Sequence, residues 1–83
     1  MAISKDEIYQ KLQDIFRREF DDPSIVLTPQ TTSAQIPGWD SHRQVEIILA
    51  CEETFSVRLK PREINAMENV EEIVNHLASI MNR

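Results

Sequence analysis

The chain has 83 residues, with nine Lys and Arg against fourteen Asp and Glu, and therefore a net charge of −5 at pH 7. A chain this short forms one domain around one core, so we expect residues 1–83 to be a single domain with its chemistry on the surface. The acidic balance and scattered cations argue against nucleic acid, whose phosphates bind clustered Lys and Arg, and favour a partner protein with a basic surface.

The predicted first helix runs from about Lys5 to Phe20 and begins with a capping-box pattern of Ser4 and Glu7. Its apolar side chains recur at helical spacing and are Ile8, Leu12, Ile15 and Phe16. Residues 21–40 hold three of the four prolines and the only glycine, which predicts a long loop. Loops of that length are ordered when side chains attach them to the core, and the candidates are Ile25, Val26, Leu27, Ile36 and Trp39.

A second helix is predicted from Ser41 to Phe55, a stretch without Pro or Gly that follows the good N-cap residue Asp40. One stripe of the helix is expected to face inward and consists of Ile47, Ile48, Cys51 and Phe55. Val45 and Leu49 fall on a neighbouring face, which also carries Glu46, Glu52 and Glu53. In so small a domain, a helix that is apolar on two faces indicates that one face is kept for a partner.

Two further helices follow. Pro61 suits the first position of a short helix over about residues 62–66, with inward side chains expected at Val57, Leu59, Ile64 and Met67. Asn69 and Glu72 mark the start of the last helix, whose apolar repeat is Val70, Ile73, Val74, Leu77, Ile80 and Met81. The predicted fold is all-α: a small antiparallel four-helix bundle of three main helices and one short one, with a long first loop.

The residues best placed to carry chemistry are Gly38-Trp39-Asp40-Ser41-His42, where a tight turn delivers a serine to the start of a helix. Backbone N–H groups at a helix start have no intrahelical partner, and together with the helix dipole they favour a bound phosphate. Ser and Asp before a helix are nevertheless more often simple N-caps than modified residues. The residues by themselves therefore leave both interpretations of Ser41 open.

The run from Gly38 to Phe55, GWDSHRQVEIILACEETF, resembles the acyl carrier protein signature, in which an Asp-Ser pair opens an amphipathic helix ending in Glu-Glu and Phe. The resemblance extends to both ends of the chain. In that family a phosphopantetheinyl transferase moves 4′-phosphopantetheine from coenzyme A onto the serine, and acyl or aminoacyl groups are carried on the terminal thiol. The resemblance implies that Ser41 is the attachment site and that Asp40 caps the helix and assists the transferase complex.

The resemblance also implies a non-catalytic carrier that serves acyl-loading, condensing or transferase enzymes in fatty acid, polyketide or another specialised biosynthesis. The second helix of such carriers faces these enzymes, which implies contact residues at His42, Arg43, Val45, Glu46, Leu49, Glu52 and Glu53. Residues 28–41 also look like the loop of stand-alone carriers of specialised pathways.

This sequence departs from the family pattern in three places. His42 stands where leucine is usual, and Arg43 stands where an acidic residue is common. The third departure is a basic segment, in a region commonly acidic in fatty-acid carriers, that contains Arg58, Lys60 and Arg62. These departures leave the identity of the partner enzymes open. The cargo and the pathway stay open as well, because an acyl, aminoacyl or polyketide group would be attached to the same thiol.

Other interpretations are weaker. Asp40, Ser41 and His42 have the residue types of a hydrolase triad, but successive helical positions diverge by about 100° and cannot converge. Cys51 is expected to be a buried structural cysteine, His76 a surface residue, and no metal site is expected because the two histidines lie on different helices. The alternatives kept are an unmodified four-helix interaction module, with Ser41 only a cap, and an aminoacyl or peptidyl carrier.

The chain is expected to be a cytoplasmic monomer. A lone cysteine cannot form an internal disulfide, and the start of the chain turns acidic where a signal peptide would need a basic residue and an apolar run. Membrane insertion is not expected, because no stretch is long and apolar enough to span a bilayer.

Overall fold

The computed structural model describes residues 4–81, and this part of the chain forms four α-helices, one 3₁₀ turn and no strand. The helices are α1 (Lys5–Glu19), α2 (Ser41–Phe55), α3 (Pro61–Asn65) and α4 (Val70–Met81). The predicted all-α four-helix bundle with a long first loop is confirmed. The 3₁₀ turn, Ser33–Gln35, was not predicted. The predicted domain, 1–83, also includes residues 1–3 and 82–83, which lie outside the described residues.

The core is formed by the apolar stripes of α1, α2 and α4, to which the loops add a few side chains. The predicted inward residues of α1 and α2 are all buried. In α4, Val70, Ile73, Val74 and Leu77 are buried, whereas Ile80 and Met81 near its end are only partly covered. Burial of apolar area from all three long helices at once is the main term that stabilises the bundle.

The long helices have the predicted caps. The Ser4 side chain accepts a hydrogen bond from the Glu7 N–H (3.2 Å), and the Asn69 side chain accepts one from the Glu72 N–H (3.0 Å). The Glu72 carboxylate accepts from the N–H of Glu68 and not from that of Asn69, so the capping box at α4 reaches back one residue further than expected.

The long first loop is attached to α1 through polar side chains that the apolar pattern did not indicate. The Arg17 Nε donates to the carbonyl of Ile25 (2.8 Å), and the Gln13 Oε1 accepts from the N–H of Leu27 (3.0 Å). Leu27 is buried between these contacts and the core, whereas Val26 is 66% exposed. The prediction that Val26 attaches the loop is wrong, because the contacts on either side of it direct Leu27 inward and leave Val26 in solvent.

The loop also completes the start of α4. The carbonyl of Thr31 accepts from the N–H of Val70 (2.9 Å), and the carbonyl of Pro29 accepts from that of Glu71 (3.2 Å). The first N–H groups of a helix need such partners from outside the helix. The loop is therefore ordered because it caps a helix as well as covering the core.

The prediction that His76 is a surface residue is wrong. Its side chain is 24% exposed, and its Nε2, which is shielded from solvent, lies 3.4 Å from the Glu63 Oε2. Glu63 belongs to α3, so the short helix covers this position of α4.

Candidate functional site

The turn before α2 places Ser41 at the surface. Gly38 has a left-handed backbone (φ +87°), which favours glycine, and the following two N–H groups close the turn: Trp39 donates to the carbonyl of Ile36 (3.2 Å) and Asp40 to that of Gly38 (3.0 Å). The chain then enters α2 with Ser41 as its first residue, and this serine is exposed.

Asp40, and not Ser41, is the N-cap of α2. Its Oδ1 accepts from the N–H of Arg43 (3.0 Å), and its carbonyl accepts from the N–H of Gln44 (2.9 Å). The Arg43 hydrogen bond holds the pKa of the Asp40 carboxyl below its ordinary value, so this group is charged at neutral pH. Because the cap is provided by the neighbouring residue, the helix does not require the Ser41 hydroxyl for its start.

Trp39 fixes the turn against the bundle. Its ring meets the ring of Phe16 edge-on, with centroids 4.9 Å apart and planes at 86°. Its Nε1 donates to the Gln44 Oε1, one turn into α2. The prediction that Trp39 attaches the loop to the core is confirmed, whereas the role of Gln44 had no signal in the sequence.

A groove of about 440 Å³ opens beside Ser41. It lies between the start of α2, the long loop and the segment joining α3 to α4. Its lining is rich in amide and hydroxyl groups and consists of Ser33, Trp39, Asp40, Ser41, Gln44, Asn65, Met67, Glu68, Asn69 and Ile73. An extended chain attached to Ser41 would start at the edge of this groove.

The outward face of α2 has the predicted rotation. Val45 is 52% exposed and Leu49 is 59% exposed, while the adjacent Ile48 is 4% exposed. Solvent-facing Val and Leu one turn apart form an apolar strip, which we call the Val45–Leu49 strip. A second groove, of about 630 Å³, runs beside Leu49 towards the end of α1.

Charged residues at the start of α2 form a local network. The Glu46 carboxylate lies 3.2 Å from the His42 Nε2 and 3.0 Å from the Arg43 guanidinium. The same guanidinium donates to the carbonyl of Glu19 (2.9 Å) and lies over the ring of Phe20, 5.8 Å from its centroid. Arg43 thus joins the start of α2 to the end of α1 in addition to facing solvent.

The two glutamates near the end of α2 differ. Glu53 is exposed, as a contact residue would be, whereas Glu52 is half-buried and its carboxylate accepts from the N–H of Leu59 (3.1 Å). Glu52 therefore holds the α2–α3 loop, a role that its place in the sequence did not indicate.

The cysteine has the predicted structural position. Cys51 is 2% exposed, and burial, with a smaller contribution from the charge of Glu52, raises the pKa of its thiol to about 12. Such a thiol stays protonated at neutral pH and is a poor nucleophile.

Within residues 4–81, no group of three or more His, Cys, Asp or Glu side chains is placed to hold a metal ion. Nor does any helix in this range combine the length and apolar character required to cross a membrane.

Comparisons with known proteins place the chain among carriers. No family model matches it. It is 30% identical over 79 residues to an acyl carrier protein from Acidothermus cellulolyticus (strain ATCC 43068 / DSM 8971 / 11B), a match that covers 95% of this chain and 94% of that protein. Its fold is similar to the solution NMR structure of a holo acyl carrier protein from Geobacter metallireducens, with a TM-score of 0.82 and 31% identity over 90% of this chain and 86% of the other.

Proposed function

The chain belongs to the acyl carrier protein family, and we propose that it carries acyl groups as thioesters on a 4′-phosphopantetheine arm attached to Ser41. In this proposal residues 1–83 form one monomeric carrier domain without catalytic activity of its own. Its partners are a phosphopantetheinyl transferase and the acyl-loading, condensing or transferase enzymes of a biosynthetic pathway.

The observation that carries the proposal is the division of roles between Asp40 and Ser41. Asp40 caps α2 through the N–H of Arg43, which leaves Ser41 exposed at the first helical position. A serine required only as a cap would occupy the place that Asp40 holds. This arrangement favours the carrier over an unmodified module in which Ser41 serves only the helix.

The surroundings of Ser41 also suit the arm. The positive end of the α2 dipole stabilises a phosphate on the serine hydroxyl. The groove beside it offers side-chain amides from Gln44, Asn65 and Asn69, which can hydrogen-bond to the amide groups of the arm. When bound, the group supplies the thiol that holds the cargo; the chain supplies the attachment point, the electrostatic field and the groove.

The proposed partner surface is the outward face of α2. It combines the exposed Val45–Leu49 strip with His42, Arg43, Glu46 and Glu53, all within reach of an enzyme that works at Ser41. Glu52 completes the proposed set, although its carboxylate is already engaged with the α2–α3 loop.

The test is loading from coenzyme A by a panel of phosphopantetheinyl transferases, followed by intact mass. We expect one phosphopantetheine per chain, none on Ser41→Ala, and normal loading of the control Ser79→Ala, an exposed serine of α4 outside the groove. Ser41→Ala should stay folded, with a change of at most about 0.5 kcal/mol in the free energy of unfolding, because this serine is exposed and is not the cap.

A thiol assay gives an independent readout. The Cys51 thiol is buried, so the unloaded folded chain should show no fast-reacting thiol and the loaded chain one. Loading of Ser41→Ala would contradict the attachment site, and absence of loading by every transferase would favour the interaction module. Offering the loaded chain acyl and aminoacyl donors then separates an acyl carrier from an aminoacyl or peptidyl carrier.

A further inference from the structure

The outward face of α2 is flanked by carboxylates on the α1 side. Measured around the helix axis from Val45, at about 100° per residue, Leu49 lies at about 40°, Glu53 at about 80° and Glu46 at about 100°. The groove that contains Glu46, Leu49 and Glu53 also contains Arg18 and Glu19 of α1. The acidic flank of the Val45–Leu49 strip, Glu46 and Glu53, therefore faces α1.

The opposite side of the strip has the reverse charge. Glu52 lies at about −20° on the same scale, and its carboxylate holds the N–H of Leu59 at 3.1 Å. The Leu59 side chain is buried (7% exposed), which fixes the loop against α2 at this point. Its neighbours Arg58 and Lys60 are exposed, as is Arg62 in the first turn of α3. We call Arg58, Lys60 and Arg62 the basic flank.

The charges of the two flanks are differently compensated. The Glu46 carboxylate is paired with the Arg43 guanidinium, and Arg18 lies 3.8 Å from Glu19, which leaves Glu53 as the exposed carboxylate of the acidic flank. Among residues 4–81, no carboxylate forms an ion pair with any side chain of the basic flank. The net charge of −5 suggests a uniformly negative surface, but this face has a negative side and a positive side with the Val45–Leu49 strip between them. We call such a face bipolar.

We infer that the enzyme that docks on this face has an apolar recess for the Val45–Leu49 strip, a basic group opposite Glu53, and an acidic patch opposite Arg58, Lys60 and Arg62. This inference rests on the proposed carrier function. A partner with a uniformly basic surface would satisfy Glu53 but would place like charges over the basic flank, which opposes association. Charge complementarity selects a bipolar partner and fixes its rotation about the α2 axis.

The probe is the transferase that loads the native chain with the highest kcat/KM in the experiment above. The variant Lys60→Glu with Arg62→Glu reverses the basic flank. Its matched control is Lys5→Glu with Lys11→Glu on α1, since all four side chains are exposed and each pair of changes takes the net charge from −5 to −9. We expect kcat/KM at low salt to fall at least about tenfold for the flank variant and less than about twofold for the control.

Two further measurements make the test specific. The loss of kcat/KM in the Lys60→Glu, Arg62→Glu variant should become smaller as the salt concentration is raised, because the Debye length falls to about 3 Å at 1 M. Glu53→Lys should also reduce loading, because a bipolar partner contacts the acidic flank as well as the basic one. Asp14→Lys on α1 is its control, since this side chain is also exposed and the change in charge is the same.

The outcomes separate the inference from the function on which it rests. Faster loading of the Lys60→Glu, Arg62→Glu variant, or a rate equal to that of its control, would overturn the bipolar partner while the carrier function stands. Failure of every transferase to load the native chain would overturn the carrier function and the inference with it. Thermal melts of each variant verify that the changed rates come from folded protein.

Discussion

Replacement of two adjacent residues of α2 by the same side chain gives a direct test of how the helix is rotated. Ile48 is 4% exposed and belongs to the core, whereas Leu49 is 59% exposed and belongs to the Val45–Leu49 strip. Ile48→Asp and Leu49→Asp introduce the same charge and the same helix propensity one position apart. Any difference in their stability therefore reports burial.

The two variants should differ clearly in how much unfolding free energy they lose. Loss of a buried Ile side chain costs about 2–5 kcal/mol even when Ala replaces it, and a buried carboxylate without a partner adds a desolvation penalty. Domain stabilities of about 0.05–0.15 kcal/mol per residue correspond to about 4–12 kcal/mol for 83 residues. We therefore expect Ile48→Asp to lose most or all of its folded population. Leu49→Asp should lose about 1 kcal/mol, from helix propensity and partial burial.

The assay is urea unfolding followed by far-ultraviolet circular dichroism, combined with loading by the transferase that serves the native chain. Leu49→Asp should unfold cooperatively with nearly the native slope and a midpoint lowered by at most about 1 M urea. It should load poorly, because a carboxylate replaces the apolar contact. Ile48→Asp should lack a cooperative transition. Equal destabilisation of both variants, or the reverse ranking, would refute the rotation of α2 and the partner face built on it.

Three further predictions concern contacts around the site. Glu52→Ala should lower the free energy of unfolding by about 1 kcal/mol and Glu52→Gln by less, in urea titrations, because an amide oxygen can still accept from the N–H of Leu59. Cys51 in the unloaded chain should react with an aromatic disulfide reagent at pH 8 only when urea is added, since its thiol has a pKa of about 12 when folded against about 8.5 when exposed. Gln44→Leu should leave the Trp39 N–H without its acceptor and cost about 1 kcal/mol, together with a shift in tryptophan emission.

Much of this fold could be predicted from the sequence because its main signals are local. The spacing of Ile8, Leu12 and Phe16 determines which side of α1 is buried. Pro61 marks a helix start through its fixed backbone angle, and Asp40 marks one through a side chain that accepts from a free N–H of the first turn. The spacing of apolar residues in α2 likewise predicts its exposed strip without any tertiary contact. The exposed position of Ser41 follows from these local signals as well.

The parts that could not be predicted depend on partners distant in sequence. The carbonyls of Pro29 and Thr31 cap α4, and Val26 faces solvent because α1 side chains hold the backbone on either side of it. His76 is half-buried because α3 places Glu63 beside it. Hydrophobic periodicity carries no information about such polar contacts between separate segments, since each requires the tertiary arrangement to exist first.

His42 and Arg43, the two departures from the family pattern at the start of α2, should differ in what they control. The His42 side chain is 83% exposed and its contact is with Glu46, whereas Arg43 also binds the carbonyl of Glu19 and covers Phe20. His42→Leu should therefore leave stability unchanged. Arg43→Asp should lower it by about 1 kcal/mol, because it removes these contacts and places a carboxylate beside Glu46.

The two residues should nevertheless act together on recognition. A transferase with a basic rim and an apolar recess for leucine meets an imidazole and a guanidinium on the native chain, so the recess is poorly filled and like charges face each other. We expect His42→Leu with Arg43→Asp to raise loading by a transferase of the fatty-acid type and to impair transfer by the enzyme that serves the native chain.

Arg43→Met is the control, because its apolar stem still covers Phe20 without a charge. Loading rates should be measured over a range of salt, since the part due to Arg43 is screened and the part due to His42→Leu is not. Rates that stay unchanged with every enzyme would show that both residues serve only the structure and that partner choice lies elsewhere on the face.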